Sequence, residues 1–340
     1  WLNLNGRWDW TITAPGASQP TNWSGKILVP FPFEAELSGV NRSISANEWM
    51  WYHRTFEVPA NWDGKRVWIN FQASDWETVA YVNGQEVGRN QEGYTPFSFD
   101  ITDALKAAGS QQIVVRVWDH QGEKHFVSTG KQTDSKTYEP SSGIWQTVWL
   151  EPRAAGAVES MDINASLEKK ALDLTVFAAA ASGIEVEVLD GQHVVASSKG
   201  TTNQVLNIEI PEPKPWEPNS PFLYDLNIKL LKKGKVIDTV SSYFGLRDIG
   251  IDKSLKGPQI TLNGKALFQF GPLDQGYWPL SALTPPTDEA QAFELHYLKD
   301  IGANMVRLHG KRNPSRWYYL CDTLGLLVWQ DFIFSRSGDT

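Results

Sequence analysis

The chain is expected to be mainly β, with two β-sandwiches followed by an alternating strand–helix segment. Three observations predict this. Short runs rich in β-branched and aromatic residues, separated by Gly, Pro and Asn turn signals, fill residues 1–152 and recur over 153–249. After about residue 250 the apolar spacing changes from a two-residue to a helical period. Strand-like segments at 304–309 and 326–331 then bracket one helix, the pattern of a parallel βαβ unit.

In the first segment, WYHRTFEV (51–58), RVWINF (66–71), TVAYV (78–82) and IVVRVW (113–118) read as strands. Val67, Ile69 and Phe71 alternate with Trp68, Asn70 and Gln72, which predicts one buried face. Asn83-Gly84 is a hairpin signal, because both central positions of a tight hairpin turn need positive φ. DITDALKAAG (100–109) reads as a short helix. Residues 120–143 are a long polar loop, and IWQTVWLEP (144–152) is the strand that closes the segment.

The second segment, 153–249, has the strand number and spacing of a small immunoglobulin-like sandwich. PEPKPWEPNSP (211–221) cannot be a central strand, because proline offers no backbone N–H to a ladder. From 250 the chain reads as a hairpin, a strand ending at Asp274, and a helix with Asp288 as N-cap and Gln291 three residues on. Ala290, Phe293, Tyr297, Leu298 and Ile301 recur along that helix at helical spacing. A second helix starts at Asn313-Pro314 and stops at Gly325. This opens either a (β/α)8 barrel or a doubly wound sheet. In both, function gathers at the carboxyl ends of the strands, where Asp274, Arg307, His309 and Asp331 fall.

With 340 residues, two or three domains are expected. A net charge of −8 argues against a general nucleic-acid or anionic-membrane binder. No run approaches the apolar length of a membrane span. The one cysteine, Cys321, excludes an internal disulfide and a multi-cysteine metal site, and neither cofactor nor metal is expected. His120 and His125 read as surface imidazoles. The chain begins at Trp1 without a signal peptide or initiator Met, which leans toward an exported bacterial protein. Sixteen tryptophans raise a carbohydrate reading, since flat indoles stack on sugar faces, but they fill cores as well.

VNGQEVGRNQEGYTPFSFDIT (82–102), SSGIWQTVWLEP (141–152), KPWEPNSPFLYDL (214–226) and YFGLRDI (243–249) occur in one order, followed by DIGANMVRLHGKRNPSRWYYLCDTLGLLVWQDF (300–332). This series resembles the amino-terminal portion of glycoside hydrolase family 2, the β-galactosidase, β-glucuronidase and β-mannosidase family. The resemblance implies a jelly-roll sugar-binding domain (1–152), an immunoglobulin-like β-sandwich (153–249) and the start of a (β/α)8 catalytic barrel (250–340). It implies a retaining exo-glycosidase acting on non-reducing-end sugars, with an oligosaccharide or glycoside as substrate. Both catalytic glutamates are then expected beyond residue 340, so these 340 residues alone are expected to be inactive. The remainder of the barrel or a homo-oligomer partner would cover the apolar strands. The alternative reading is a non-catalytic carbohydrate-binding protein.

By the same resemblance, Asp331 in WQDF contacts hydroxyls of the terminal sugar; the bland alternative is a structural carboxylate paired with Arg307. His309 is either a hydroxyl donor or a satisfied rim histidine. Trp329 is either a stacking platform or packing. Asp274 is a further substrate-binding candidate, and Lys131, Gln132, Asp134 and Glu139 are loop candidates against a solvated-loop reading. Arg307-Leu308-His309-Gly310-Lys311 stands where the β-mannosidase branch carries Arg-x-Trp-Gly-Gly, and it lacks the Arg-x-Ser-His-Tyr-Pro of the galactosidase and glucuronidase branches. The sugar is therefore left open.

Overall fold

The computed structural model describes residues 1–119, 139–179, 182–254 and 257–332. The first sandwich packs a four-stranded sheet (Leu2–Asn3, Val148–Arg153, Arg66–Phe71, Phe97–Asp100, in spatial order) on a six-stranded one. The second sheet runs Gly25–Val29, Gly6–Thr13, Trp49–Phe56, Gln111–Trp118, Glu77–Val82, Gln85–Gln91. Trp8, Met50, Tyr52, Ile69, Phe71 and Val115 meet in the core between them. The alternation in RVWINF thus has its physical cause: Val67, Ile69 and Phe71 face that core. Asn83 and Gly84 join two paired strands with φ of 49° and 85°, as the hairpin signal requires.

Residues 100–109 are not a helix. They hold the end of the strand Phe97–Asp100 and a single 3-10 turn, Thr102–Ala104. Asp100 explains the difference: its side chain accepts from the Thr102 backbone N–H at 3.0 Å and from the Thr102 hydroxyl at 2.6 Å, so the local turn outcompetes a helix. The closing strand is also interrupted. Gly143–Ile144 pairs with Ser74–Asp75, and Val148–Arg153 pairs with Arg66–Phe71 in a different sheet.

The second sandwich packs a three-stranded sheet (Ser160–Ser166, Ala171–Phe177, Val205–Glu209) on a four-stranded one (His193–Thr201, Gly183–Asp190, Tyr224–Lys232, Lys235–Phe244). Its proline-rich crossing forms a two-residue hairpin, Trp216–Glu217 with Ser220–Pro221, which docks the βα segment. The fully buried Trp216 donates its indole N–H to the Asp322 carbonyl at 2.7 Å. The Asp322 carboxylate accepts from Tyr243 at 3.2 Å and from Arg247 at 3.0 Å. The run YFGLRDI is therefore a docking element that reaches the second helix of the next segment.

That segment has three parallel strands, Leu273–Asp274, Met305–Leu308 and Leu327–Gln330, with helices Asp288–Asp300 and Ser315–Leu324 between them. No closed barrel forms among the described residues. Leu295, Val306, Leu308, Trp317, Cys321 and Leu326 bury one face of the sheet under the helices. The first helix is capped by Thr287 rather than Asp288: the Thr287 hydroxyl accepts from the Ala290 N–H at 3.1 Å. The second begins at Ser315, one residue after Pro314. The aromatic stripe on the first helix does not face the core. Gln291, Leu295 and Leu298 lie inward, whereas Phe293, Tyr297 and Ile301 are exposed, with the Phe293 and Tyr297 rings stacked at 6.4 Å. Both sets satisfy helical spacing, and only the sheet decides which is buried.

Candidate substrate-binding rim

Pleating sorts the three strands into two faces. Val306, Leu308 and Val328 point into the helix layer. Arg307 and Trp329 are register partners on the opposite, open face. Asp331 follows the last strand by one residue and continues the ladder, its N–H donating to the Leu308 carbonyl at 3.1 Å.

On that face Arg307 clamps Asp331 with two parallel bonds, Nε to Oδ1 at 2.9 Å and a terminal nitrogen to Oδ2 at 3.0 Å. This fork-on-fork geometry fixes the plane of the carboxylate. His309 adds a third contact, Nδ1 to Oδ2 at 3.1 Å. The Arg307 guanidinium, with His309, holds the Asp331 carboxyl below the usual carboxylate range against the opposing effect of burial. A group with a depressed folded pKa contributes stability above its unfolded pKa and loses it as pH falls through the folded value. The Asp331 carboxyl should therefore titrate below the ordinary 3.8 in a carbon-13 NMR titration. A midpoint at or above that value would show that the clamp does not form.

Trp329 is 43% exposed on the same face, its indole N–H donating to Gln269 Oε1 at 2.5 Å. The structure thus brings together Arg307, His309 and Asp331, with Trp329 on the shared face. Asp274 goes elsewhere. Its register partner is Leu308, on the helix side, and its carboxylate meets Lys311 Nζ at 3.3 Å and Asn313 Nδ2 at 3.4 Å. Glu139 is exposed. Lys131, Gln132 and Asp134, like His120 and His125, lie outside the described residues.

The Asp274 contacts reveal a buried polar cluster that sequence reasoning missed. Lys311 is 4% exposed. Burial lowers the pKa of its ammonium, and the Asp274 and Glu294 carboxylates oppose that shift. Burial, then the Asp274 charge, raises the Glu294 carboxyl, with Lys311 and the Trp317 indole opposing. One signal was available: Glu294 stands on the inward stripe of its helix, three residues after Gln291. No spacing pairs Lys311 with Asp274. The Lys311 side chain lies over Gly276, where an added Cβ would stand 1.4 Å from Nζ and φ is +72°. Gly276→Ala should therefore cost about 1–2 kcal/mol from the backbone alone. It should also displace Lys311 from Asp274; a structure of the variant with that ion pair intact would contradict the packing argument.

The sequence profile of the glycosyl hydrolases family 2 sugar binding domain matches residues 1–152, and that of glycosyl hydrolases family 2 matches residues 144–247. The chain belongs to glycoside hydrolase family 2. Among family 2 relatives, a β-galactosidase of Thermoanaerobacter pseudethanolicus is 27% identical over 299 residues, covering 83% of this chain and 39% of the relative. A putative β-glucuronidase of Formosa agariphila is 28% identical over 301 residues, covering 85% of this chain and 35% of the relative. The chain thus spans about two-fifths or less of the length of these family 2 proteins. The fold matches the β-glucuronidase from Ruminococcus gnavus, solved with D-glucuronic acid, at a TM-score of 0.81 and 20% identity, over 97% of this chain and 59% of that one. A Lactobacillus rhamnosus β-glucuronidase matches at 0.80 and 22%, over 96% of this chain and 57% of that one.

Proposed function

We propose that this chain is the amino-terminal part of a retaining exo-glycoside hydrolase that cleaves O-glycosidic bonds of non-reducing-end sugars. The observation that carries the reading is the Arg307–Asp331–His309 clamp at the end of the third parallel strand. A carboxylate oriented there has lone pairs left to accept from vicinal sugar hydroxyls, and its charge strengthens those bonds. Arg307 and His309 position it, and Trp329 offers an indole for the ring face. Asp274, turned to the helix side and paired with Lys311, does not touch sugar in this reading. Residues 1–152 act as the jelly-roll domain, 153–249 as the immunoglobulin-like sandwich and 250–340 as the opening of the barrel. Retaining hydrolysis needs two carboxyl groups about 5 Å apart. In this reading both are glutamates on later barrel strands, beyond residue 340. The remainder of the barrel, or a second copy, covers the exposed Phe268, Phe270, Leu273 and Phe332.

The test is a panel of 4-nitrophenyl β-galactoside, β-glucuronide and β-mannoside given to the intact protein. Hydrolysis of one or more with retained anomeric configuration is expected. Saturable binding without turnover of any glycoside would instead favour a carbohydrate-binding protein, and inversion would reject the closely spaced carboxyl pair of a retaining mechanism.

A further inference from the structure

We infer that Gln330, backed by Tyr318, is a positioning residue that sets the geometry of the Arg307–His309–Asp331 rim from the face of the sheet turned away from the sugar. The inference rests on the reading of that rim as a sugar site. Side chains alternate along the third strand. Trp329 stands on the open face with Asp331, whereas Val328 packs under the helices. Gln330 falls on the side of Val328, where its register partner is the fully buried Leu308. Its side chain therefore reaches toward the helix layer and not toward the ring of a bound sugar.

One amide there joins two strand ends. Gln330 Nε2 donates to the Lys311 carbonyl at 2.8 Å and to the Asp331 carbonyl at 2.8 Å. Its Oε1 accepts from the Tyr318 hydroxyl, on the second helix, at 2.5 Å. The orientation of the amide follows from its partners, since carbonyl oxygens can face only its nitrogen. Burial, opposed by the nearby Asn313 backbone N–H, raises the Tyr318 pKa, so the phenol keeps the proton it donates. Both N–H groups and the oxygen of Gln330 are thus engaged. Gln330 is exposed on the edge of the sheet, where each such bond adds little to stability. What the three bonds fix is geometry.

Both carbonyls lie past the ends of their strands, at Leu308 and Gln330. The Asp331 N–H makes the last ladder bond, to the Leu308 carbonyl at 3.1 Å. Gln330 takes over from that point by holding the Lys311 and Asp331 backbones to one nitrogen. His309 and Gly310 span the gap between the second strand and Lys311. Gly310, with φ of +61°, gives this span a freedom that needs a brace. With Lys311 clipped to the third strand, the His309 ring stays against Asp331 Oδ2 at 3.1 Å. The Lys311 side chain is held as well, by the Asp274 carboxylate at 3.3 Å. A carboxylate that must meet sugar hydroxyls gains from this, because small misplacements of a binding group cost rate.

The test combines a carbon-13 titration of Asp331 with aryl glycoside kinetics, both on the intact protein carrying Gln330→Met. Methionine keeps the side-chain length and removes all three bonds. The Asp331 midpoint should rise toward the ordinary 3.8 as the contact with His309 loosens, and kcat/KM should fall by about three- to tenfold. In an Asp331→Asn background the same substitution should cause little further loss, because a positioning residue acts only through the group it positions. Tyr318→Phe, which removes one oxygen atom, should act in the same direction by a smaller factor. An unchanged Asp331 midpoint in Gln330→Met would overturn the inference. So would losses that multiply in the double variant, since these mark an independent contact or general destabilisation. If Gln330→Met lowers the Tm, Tyr318→Phe supplies the same two readings. If no aryl glycoside is turned over, the sugar reading of the rim fails by itself, and the Asp331 midpoint still decides whether Gln330 positions it.

Discussion

Asp331→Asn in the intact protein should lower kcat/KM on its aryl glycoside by about ten- to a hundredfold while leaving the melting temperature nearly unchanged. The two halves of this expectation have separate causes. Asparagine keeps the shape of the side chain but loses the charge that strengthens hydrogen bonds to hydroxyls, and it replaces one acceptor oxygen with a donor. Sugar contacts therefore weaken at the atom that matters. Stability is little affected because Arg307 and His309 are solvent-accessible, with side chains 47% and 27% exposed, and water can take over their donors. Asp331→Ala should act similarly on kcat/KM, with a further loss from the unfixed Arg307. If Asp331→Asn instead unfolds the protein without a specific kinetic loss, Asp331 is a structural carboxylate and the bland reading wins.

Lys311→Met is expected to show the opposite pattern, a loss of about 3–5 kcal/mol in urea unfolding. The methionine fills most of the lysine volume, so packing is nearly conserved. What is lost is the cation beside Asp274, whose side chain is 17% exposed and would keep an uncompensated charge next to Glu294. Lys311→Met combined with Asp274→Asn should recover most of the loss, since an apolar group beside a neutral amide leaves no buried charge. The pH dependence gives a second check. A lysine whose folded pKa lies below 10.5 binds fewer protons in the native than in the unfolded state between those two values, so its contribution to stability rises with pH across that window. Lys311→Met should remove that component of the rise. A single variant as stable as the parent would mean that the cluster is wetter than its burial implies.

These two residues mark how far sequence reading carries. Asp331 was legible because a carboxylate at the end of an apolar strand, beside parallel strands ending in Arg307 and His309, has few reasons to be there. Lys311 was not, because a lysine between Gly310 and Arg312 reads as surface, and its partner lies 37 residues earlier across a βα crossover. Asp274 was singled out for its strand-end position, yet pleating turned it toward the helices. One residue of register decides between a rim facing solvent and a cluster packed under Trp317.

The same division runs through the whole chain. The sequence by itself determined the β-rich organisation, the Asn83-Gly84 hairpin, the parallel βαβ order and the strand-end position of the rim. Each of these follows from local periodicity or from backbone sterics at a few neighbouring residues. Tertiary structure alone decided which helix stripe is buried, that the proline-rich crossing docks on Asp322, and that Lys311 is buried over Gly276. Those outcomes depend on which surfaces exclude water from each other, and that is set by elements far apart in the chain, where no local spacing records it.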